Sequence, residues 1–365
     1  MKRSGTHESG LAPATGPLAV GRRTLLGGMG AFGAALALRP FGTRAAASEL
    51  VVANWGGKAA TAVTEAFGGF QQKSGLQVSV DGSGTPQGKV RAMVEAKHVI
   101  WDVIDSSFGD SIQLGDAGFL EEIDYSIVDK SKVGPGLAMK YGISNYLFSY
   151  IMAVNYSKFG DHPPKTWKDF WNVKDFPGKR MLSGLAQGVL EAALLADGVA
   201  AKDLYPIDLP RALAKVKEIK DSCVFWKTGA QIEDLLRQGE VVAGFAWSNR
   251  TVVVAKEMKG TIGWNWDEAL LASSAWIVPK GNPAGREAAM KFIDYALRPE
   301  GQAKVFEIVG MSPSNPAATA LIPEADRKYV STNPANVDKQ ILLQDAWYGQ
   351  HGDDAQAKYL EAISG

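Results

Sequence analysis

The sequence predicts an α/β protein of two lobes with a cleft between them. First, the chain has 365 residues, which is too long for one hydrophobic core. Second, short apolar segments alternate with segments of helical spacing, a pattern typical of a mostly parallel sheet covered by helices. Third, glycine and small polar residues follow several strands, and open α/β sheets bind ligands at that edge.

The first 47 residues have the order of an export signal. The pair Arg22-Arg23 precedes a small-residue apolar run over 27–38, and 45–47 (Ala-Ala-Ala) has the form of a signal-peptidase site. The run has about twelve residues, whereas a membrane span needs about 20. The arginine pair is similar to the twin-arginine (Tat) signal. We therefore expect a Tat signal peptide over 1–47 and an exported, periplasmic chain that starts at Ser48.

The first lobe is predicted over residues 48–152, with a return over 275–322. Apolar residues mark its strands, and Val63, Phe67 and Phe70 recur at helical spacing. In order, we expect a strand over 50–53, a helix near 63–70, a strand over 76–80, a helix near 90–94, a strand over 101–105, a helix over 110–117, and, after the return near 276–279, helices over 285–297 and 300–309.

The second lobe is predicted over residues 153–274 plus 323–365. A long strand over 145–155 is interpreted as a crossing between the lobes, and Thr166 is positioned to cap a helix that carries Trp167 and Phe170. We then expect helices over 187–196 and 210–220, a strand over 241–247, a helix over 251–258 and a strand over 261–264. The last 40 residues are predicted to be helical and to cover this lobe.

Composition excludes several classes of function. Lys and Arg balance Asp and Glu at 39 each, so the basic surface typical of nucleic-acid binders is missing. A single cysteine, Cys223, and four histidines exclude a disulfide framework and a Cys/His zinc cluster. No G-x-S-x-G or H-E-x-x-H motif occurs. We expect no catalytic residues, no metal and no cofactor.

The candidate binding residues lie where strands end. Backbone N–H groups and helix N-termini are free there, and flat tryptophan walls suit aliphatic or cationic ligands. For each tryptophan the alternative is core packing. From the strand ends we select Asn54, Trp55, Gly56, Ser106, Ser107, Phe108, Ser183, Trp247 and Arg250.

The order of short motifs resembles one known family across nearly all of the mature chain. The motifs are Asn54-Trp55, Trp101-Asp102-Val103-Ile104, the run 118–124 (Gly-Phe-Leu-Glu-Glu-Ile-Asp), Ala153-Val154-Asn155, the run 166–171 (Thr-Trp-Lys-Asp-Phe-Trp), Gly244-Phe245-Ala246-Trp247, the run 275–279 (Ala-Trp-Ile-Val-Pro) and the run 310–318. Together they resemble the spermidine/putrescine-type periplasmic solute-binding proteins of ABC importers. The resemblance implies a two-lobed type II periplasmic binding protein, with hinge strands and a cleft that closes on a small-molecule solute. It also implies ABC permease membrane subunits as partners, and we expect a monomer.

Departures from that family's pattern bear on the ligand. Where polyamine binders carry acids, this chain has residues 183–188 (Ser-Gly-Leu-Ala-Gln-Gly) and Ala272-Ser273-Ser274, and we add Ser273 and Ser274 to the site. A buried ammonium without a carboxylate is costly. We therefore expect a small amino-acid-like or carboxylate-bearing solute, with a true polyamine as the alternative. An exported α/β enzyme is the alternative of another class.

Arg250 is the candidate anchor for a solute carboxylate. It follows Trp247 by three residues, and its guanidinium could bind a carboxylate through two parallel hydrogen bonds. The alternative is an arginine at a helix N-terminus that pairs with solvent or with a glutamate.

Overall fold

Strands and helices alternate along the chain, as the sequence predicts. The structure, a computed structural model, describes residues 48–364, and the predicted signal peptide lies outside the described residues. The strands are β1 (Glu49–Ala53), β2 (Gln77–Asp81), β3 (Val103–Ser107), β4 (Ile143–Asn155), β5 (Arg180–Ser183), β6 (Cys223–Trp226), β7 (Ala243–Trp247), β8 (Ile262–Gly263), β9 (Leu270–Ile277), β10 (Ser312–Pro313) and β11 (Ile341–Leu342).

Helices connect the strands and cover the sheet. They are α1 (Lys58–Phe67), α2 (Phe70–Ser74), α3 (Gln87–Glu95), α4 (Phe108–Asp116), α5 (Trp167–Trp171), α6 (Val189–Ala196), α7 (Leu209–Ile219), α8 (Gly229–Gln238), α9 (Ser248–Glu257), α10 (Arg286–Ala296), α11 (Pro299–Val309), α12 (Pro316–Thr319), α13 (Glu324–Arg327), α14 (Pro334–Val337) and α15 (Asp345–Ser364). Within residues 48–364, no helix is both long enough and apolar enough to cross a membrane.

The main strands form one continuous sheet whose order is β2-β1-β3-β9-β4-β7-β5-β6. Pairing is parallel at both ends, among β2, β1 and β3 and among β7, β5 and β6. In the middle, β9 and β4 pair antiparallel with each other and with their neighbours β3 and β7. The sheet is therefore mixed, and the prediction of a mostly parallel sheet holds only for each lobe taken alone.

Two long strands join the lobes. The strand predicted over 145–155 is present as β4, while β9 starts at Leu270, earlier than the sequence pattern indicated. All eight residues of β9 are buried, so the strand has no polar alternation to mark its start. The two predicted lobe boundaries, at 152/153 and 274/275, fall inside β4 and β9.

Each lobe has its own hydrophobic core. In lobe 1, Phe67, Phe70 and Trp276 surround Phe292 edge to face, with ring centroids 5.5–6.0 Å from it. In lobe 2, Phe245 stacks on Tyr150 at 4.9 Å and packs against Trp167. Because these aromatic residues belong to two separate clusters of buried residues, each lobe is a packing unit of its own.

Side-chain caps fix several helix starts. The predicted Thr166 cap is confirmed: its hydroxyl accepts a hydrogen bond from the Asp169 N–H over 3.2 Å, and Asp169 Oδ2 accepts from the Thr166 N–H over 3.1 Å. Thr228 and Gln231 form the same reciprocal box at the start of α8. Short helices such as α5 depend on these caps because they have few internal hydrogen bonds.

The C-terminal helix α15 contacts both lobes. The backbone of Gly349 lies against Gly109 of α4 in lobe 1, whereas the Tyr359 hydroxyl donates to the Ser183 carbonyl in lobe 2 over 2.6 Å. Gln356 adds two hydrogen bonds in lobe 2, to the backbone of Gly184 and Ala186. The prediction that the C-terminal segment covers lobe 2 is thus incomplete, because the first half of α15 packs on lobe 1.

Candidate functional site

The middle of the sheet brings predicted site residues from both lobes together. Ser107, at the end of β3, is in register with Ser274 on β9. Across β9, Ser273 is in register with Leu147 on β4, and Tyr150 of β4 is in register with Trp247 at the end of β7. The carboxyl ends of β3 and β7 therefore flank the two crossing strands, and the loops that follow them border one cleft.

The loop between β1 and α1 holds one buried amide and one exposed ring. Asn54 is fully buried, and its Oδ1 accepts a hydrogen bond from the Gly56 N–H over 2.9 Å. Gly56 has φ 73°, and a Cβ there would meet the Gly82 carbonyl at 2.4 Å, so only glycine fits. Trp55 is 59% exposed. In this loop the Asn54 amide holds the backbone at Gly56, while the Trp55 ring faces solvent.

The loop between β3 and α4 uses its polar groups on its own helix. Ser107 caps α4 by accepting from the Asp110 N–H over 3.0 Å, and the Ser106 hydroxyl donates to Asp110 Oδ2 over 2.7 Å. The Phe108 side chain is buried in the core of lobe 1 rather than exposed at the strand end. Phe108 thus lies behind the loop and supports it.

Ser183 and Ser273 are buried and already hydrogen-bonded. The Ser183 hydroxyl accepts from the Leu185 N–H over 2.9 Å, and Ser273 Oγ lies 3.4 Å from Asp345 Oδ2. Both serines therefore connect the sheet to neighbouring segments, Ser183 to its own loop and Ser273 to the first residue of α15.

Trp247 and Arg250 lie at the start of helix α9, Trp247 just before it and Arg250 in its first turn, and they differ in their surroundings. The Trp247 ring packs edge to face against Phe148 and Trp226, with centroids 6.2 and 4.8 Å away. Arg250 Nη1 donates to Glu233 Oε1 of α8 over 3.2 Å. A Cβ at Gly229 would lie 2.4 Å from Arg250 Nε, so the guanidinium rests on the start of α8. Arg250 is paired with a glutamate, the alternative that the sequence left open.

Two helix N-termini at the cleft have no side-chain cap. Helix α1 starts after Gly57 in lobe 1 and α9 after Trp247 in lobe 2, and neither N-cap residue makes a side-chain cap hydrogen bond. Both starts carry the partial positive charge of a helix N-terminus, which attracts anions, although at α1 the N–H groups of Ala59 and Ala60 already donate to the Gly56 and Gly57 carbonyls.

Buried polar atoms without a protein partner concentrate beside these two helix starts. They include Asn54 Nδ2 at the entry to α1, and Trp247 Nε1, Asn249 Oδ1 and Arg250 Nε at the start of α9. Such atoms are costly to leave unpaired, and most buried polar groups in proteins have partners. A bound solute or ordered water at the strand ends would supply those partners.

Carboxylates near the crossing strands are the site feature that sequence reasoning missed. Asp105, Glu191 and Asp345 form no ion pair with any basic side chain among residues 48–364, and burial raises the pKa of each. For Asp105 and Asp345 the pKa reaches about 7. The only sequence signal was an isolated acid next to apolar residues, as in Val189-Leu190-Glu191-Ala192.

Each of these acids is held by neutral donors. Glu191 accepts hydrogen bonds from the hydroxyls of Tyr205 and Tyr348 and from the Gly188 N–H. Asp105 accepts from Asn145 Nδ2 over 3.0 Å and from the Tyr146 hydroxyl. The hydrogen bonds to Glu191 and the one from Asn145 to Asp105 lower the two pKa values, but desolvation is the larger effect for both acids. In the part of the chain that the structure describes, no three His, Cys, Asp or Glu side chains are grouped as metal ligands.

Comparisons with known proteins agree with this architecture. A gamma-aminobutyric acid-binding protein of Pseudomonas aeruginosa is 33% identical over 87% of this chain and 91% of its own length. An ABC transporter substrate-binding protein from Bradyrhizobium japonicum superimposes with a TM-score of 0.81 at 31% identity, over 87% of this chain and all of the other. A spermidine/putrescine-binding periplasmic protein of Salmonella typhimurium is 26% identical over 54% of this chain and 56% of its own.

These relatives bind solutes for transport, and they confirm the resemblance that the sequence motifs carried. The bacterial extracellular solute-binding protein family matches residues 65–336, about three quarters of the sequence. The fold, the family match and the relatives from Pseudomonas aeruginosa and Bradyrhizobium japonicum, which are similar over most of their length, all agree. The chain belongs to that family of bacterial extracellular solute-binding proteins.

Proposed function

We propose that this protein captures a small solute that carries both a carboxylate and an amine, and delivers it to the membrane subunits of an ABC importer. One observation supports it above all: two uncapped helix N-termini, one in each lobe, lie beside buried polar atoms that lack partners. Backbone N–H groups of this kind favour a carboxylate. The gamma-aminobutyric acid-binding relative, similar over almost its full length, agrees with a solute of this class.

A true polyamine fits the cleft less well. A polyamine has ammonium groups at both ends, and one of them would face the positive end of a helix dipole and the Arg250 guanidinium. The polyamine-binding relative is also similar over only about half of the chain. We infer that one end of the solute is anionic.

The protein is proposed to act in the periplasm after export by the Tat pathway. The support is the arginine pair and apolar run in residues 1–47, together with a periplasmic relative.

Calorimetric titration of the chain from Ser48 onward tests the ligand class. The panel contains 4-aminobutyrate, butyrate, succinate, putrescine and spermidine, each at the same pH and ionic strength. We expect 4-aminobutyrate to bind more tightly than either the diamine or spermidine. Tighter binding of spermidine than of 4-aminobutyrate would overturn the proposal that the solute carries a carboxylate. If no member of the panel binds, the proposed capture of a small amine or carboxylate solute is wrong.

A further inference from the structure

Asp345 occupies the junction of both lobes. It is the first residue of α15, and its Oδ2 lies 3.4 Å from Ser273 Oγ on the crossing strand β9. The same turn of helix packs on Gly109 of lobe 1, while Tyr348 donates to Glu191 of lobe 2. Asp345 therefore lies beside the strand on which the lobes hinge and is only half-buried.

No cation of the described chain neutralises Asp345. Among residues 48–364, no lysine, arginine or histidine nitrogen lies within 4.0 Å of its carboxylate. The titratable groups that interact electrostatically with Asp345 add negative charge or none: Asp110 on α4, Tyr150 on β4 and Tyr205 in lobe 2. Asp110 is itself held by neutral donors, Gln87 Nε2 and Ser106 Oγ. An ammonium group placed here would meet a carboxylate that lacks a counter-ion.

We propose that Asp345 accepts the ammonium group of the captured solute and so selects ligands that carry an amine. This inference rests on the proposed function, and it assigns the amine end of the solute to the hinge side of the cleft. The carboxylate end would then lie toward the uncapped start of α9, so that the two ends of the ligand meet opposite charges.

Proton release gives this assignment a distinct signature. Burial and the negative charge of Asp110 raise the pKa of Asp345 to about 7, although the Ser273 hydrogen bond opposes the shift. An ammonium ligand favours the ionised carboxylate and lowers that pKa. At pH 7 the protein should therefore release a fraction of a proton when it binds an amine-bearing solute.

The test compares wild type with Asp345→Asn, which keeps the shape and the hydrogen bond to Ser273. Asp354→Asn is the matched control, because Asp354 lies on the same helix, is exposed and pairs with Lys358 over 2.7 Å. Calorimetry at pH 7 in phosphate and in Tris measures affinity and proton release for 4-aminobutyrate and for butyrate, which lacks the amine.

We expect Asp345→Asn to weaken 4-aminobutyrate binding by on the order of tenfold to a hundredfold and to abolish the proton release. Asp354→Asn should behave like wild type. If wild type binds butyrate as tightly as 4-aminobutyrate, or if Asp345→Asn binds 4-aminobutyrate like wild type, the assignment fails while solute capture stands. If wild type binds neither compound nor any other member of the panel, the proposed function fails and this assignment fails with it.

Discussion

Arg250 and Glu233 form an ion pair at the edge of the second lobe, with Nη1 and Oε1 3.2 Å apart. Glu233 also accepts from Arg237 through its other oxygen, again over 3.2 Å. The Arg250 side chain is about one quarter exposed, and its Nε is buried without a partner. Glu233 offsets the charge of the guanidinium, but the unpartnered Nε leaves one N–H of Arg250 for a ligand at the start of α9, where the proposed solute carboxylate lies.

Replacing Arg250 should weaken binding of carboxylate solutes. Arg250→Ala removes the guanidinium at the α9 start, and we expect a loss of about 2–5 kcal/mol in affinity for 4-aminobutyrate, because the buried carboxylate of the solute loses its partner. Arg250→Lys should recover only part of the lost affinity, because an ammonium group cannot reproduce the planar geometry of the guanidinium. Calorimetry on both variants checks the affinities.

Arg237→Ala is the control for the Arg250 variants, because it also removes a partner of Glu233 but lies outside the site. The decisive comparison uses 4-aminobutyrate and its amide, 4-aminobutanamide, on wild type and Arg250→Ala. If both proteins discriminate equally between acid and amide, the carboxylate is not coupled to Arg250 and its role as anchor is wrong.

The strands were predictable from sequence where local pattern and burial agree. β1 and β4 were located because apolar runs end in recognisable polar loops. The start of β9 at Leu270 was missed because a strand buried on both faces has no alternation. The contacts of α15 with both lobes depend on tertiary packing, which no local pattern encodes.

For the site, the sequence located strand ends but could not assign side chains to the cleft or the core. Phe108 follows β3 and Ser183 ends β5, as expected, yet both are buried, Phe108 in a core and Ser183 beside Tyr359. Asp345 was overlooked because it lies 71 residues beyond Ser274 in sequence and reaches β9 only through the fold. Roles that depend on long-range proximity need the structure.

Solute binding should close the cleft. The lobes have separate cores and are joined mainly by β4, β9 and α15, an arrangement that permits hinge motion. We expect a smaller radius of gyration by solution scattering at saturating 4-aminobutyrate. At about a hundred times the dissociation constant, the ligand should stabilise the fold by about 2.7 kcal/mol. A radius that stays constant while calorimetry reports saturation would argue against closure.

Export should depend on the arginine pair. Changing Arg22 and Arg23 together to Lys should leave the protein in the cytoplasm of a host with a working Tat system, because that pathway reads the pair itself and not only its charge. Cell fractionation followed by immunoblotting measures the distribution. Arg39→Lys with Arg44→Lys is the matched control, since it alters two arginines of the same segment outside the pair. Equal periplasmic protein in both double variants would contradict Tat export.

The stability of the ligand-free protein should fall as the pH rises from about 5 to 8, and Asp105 should contribute to that fall. Burial raises the pKa of Asp105 to about 7, against about 3.9 in an unfolded chain. The folded state therefore binds the proton more tightly than the unfolded state does. The resulting stabilisation is complete below pH 4 and is lost as the pH rises through 7.

A three-unit shift corresponds to roughly 4 kcal/mol at most, and Glu191 and Asp345 should add to the same slope. Asp105→Asn cannot ionise but still offers the Tyr146 hydroxyl an acceptor, so its unfolding free energy should decline less between pH 5 and pH 8 than that of wild type. Urea unfolding at pH 5 and at pH 8 gives the change in unfolding free energy with pH for each protein.

Asp129→Asn serves as control, since hydrogen bonds from Ser131 hold the pKa of Asp129 below its usual value and it stays ionised throughout this range. An Asp105→Asn slope equal to that of wild type would mean that Asp105 is already ionised in the folded protein at pH 5, and that the hydrogen bonds from Asn145 and Tyr146 to its carboxylate outweigh its desolvation.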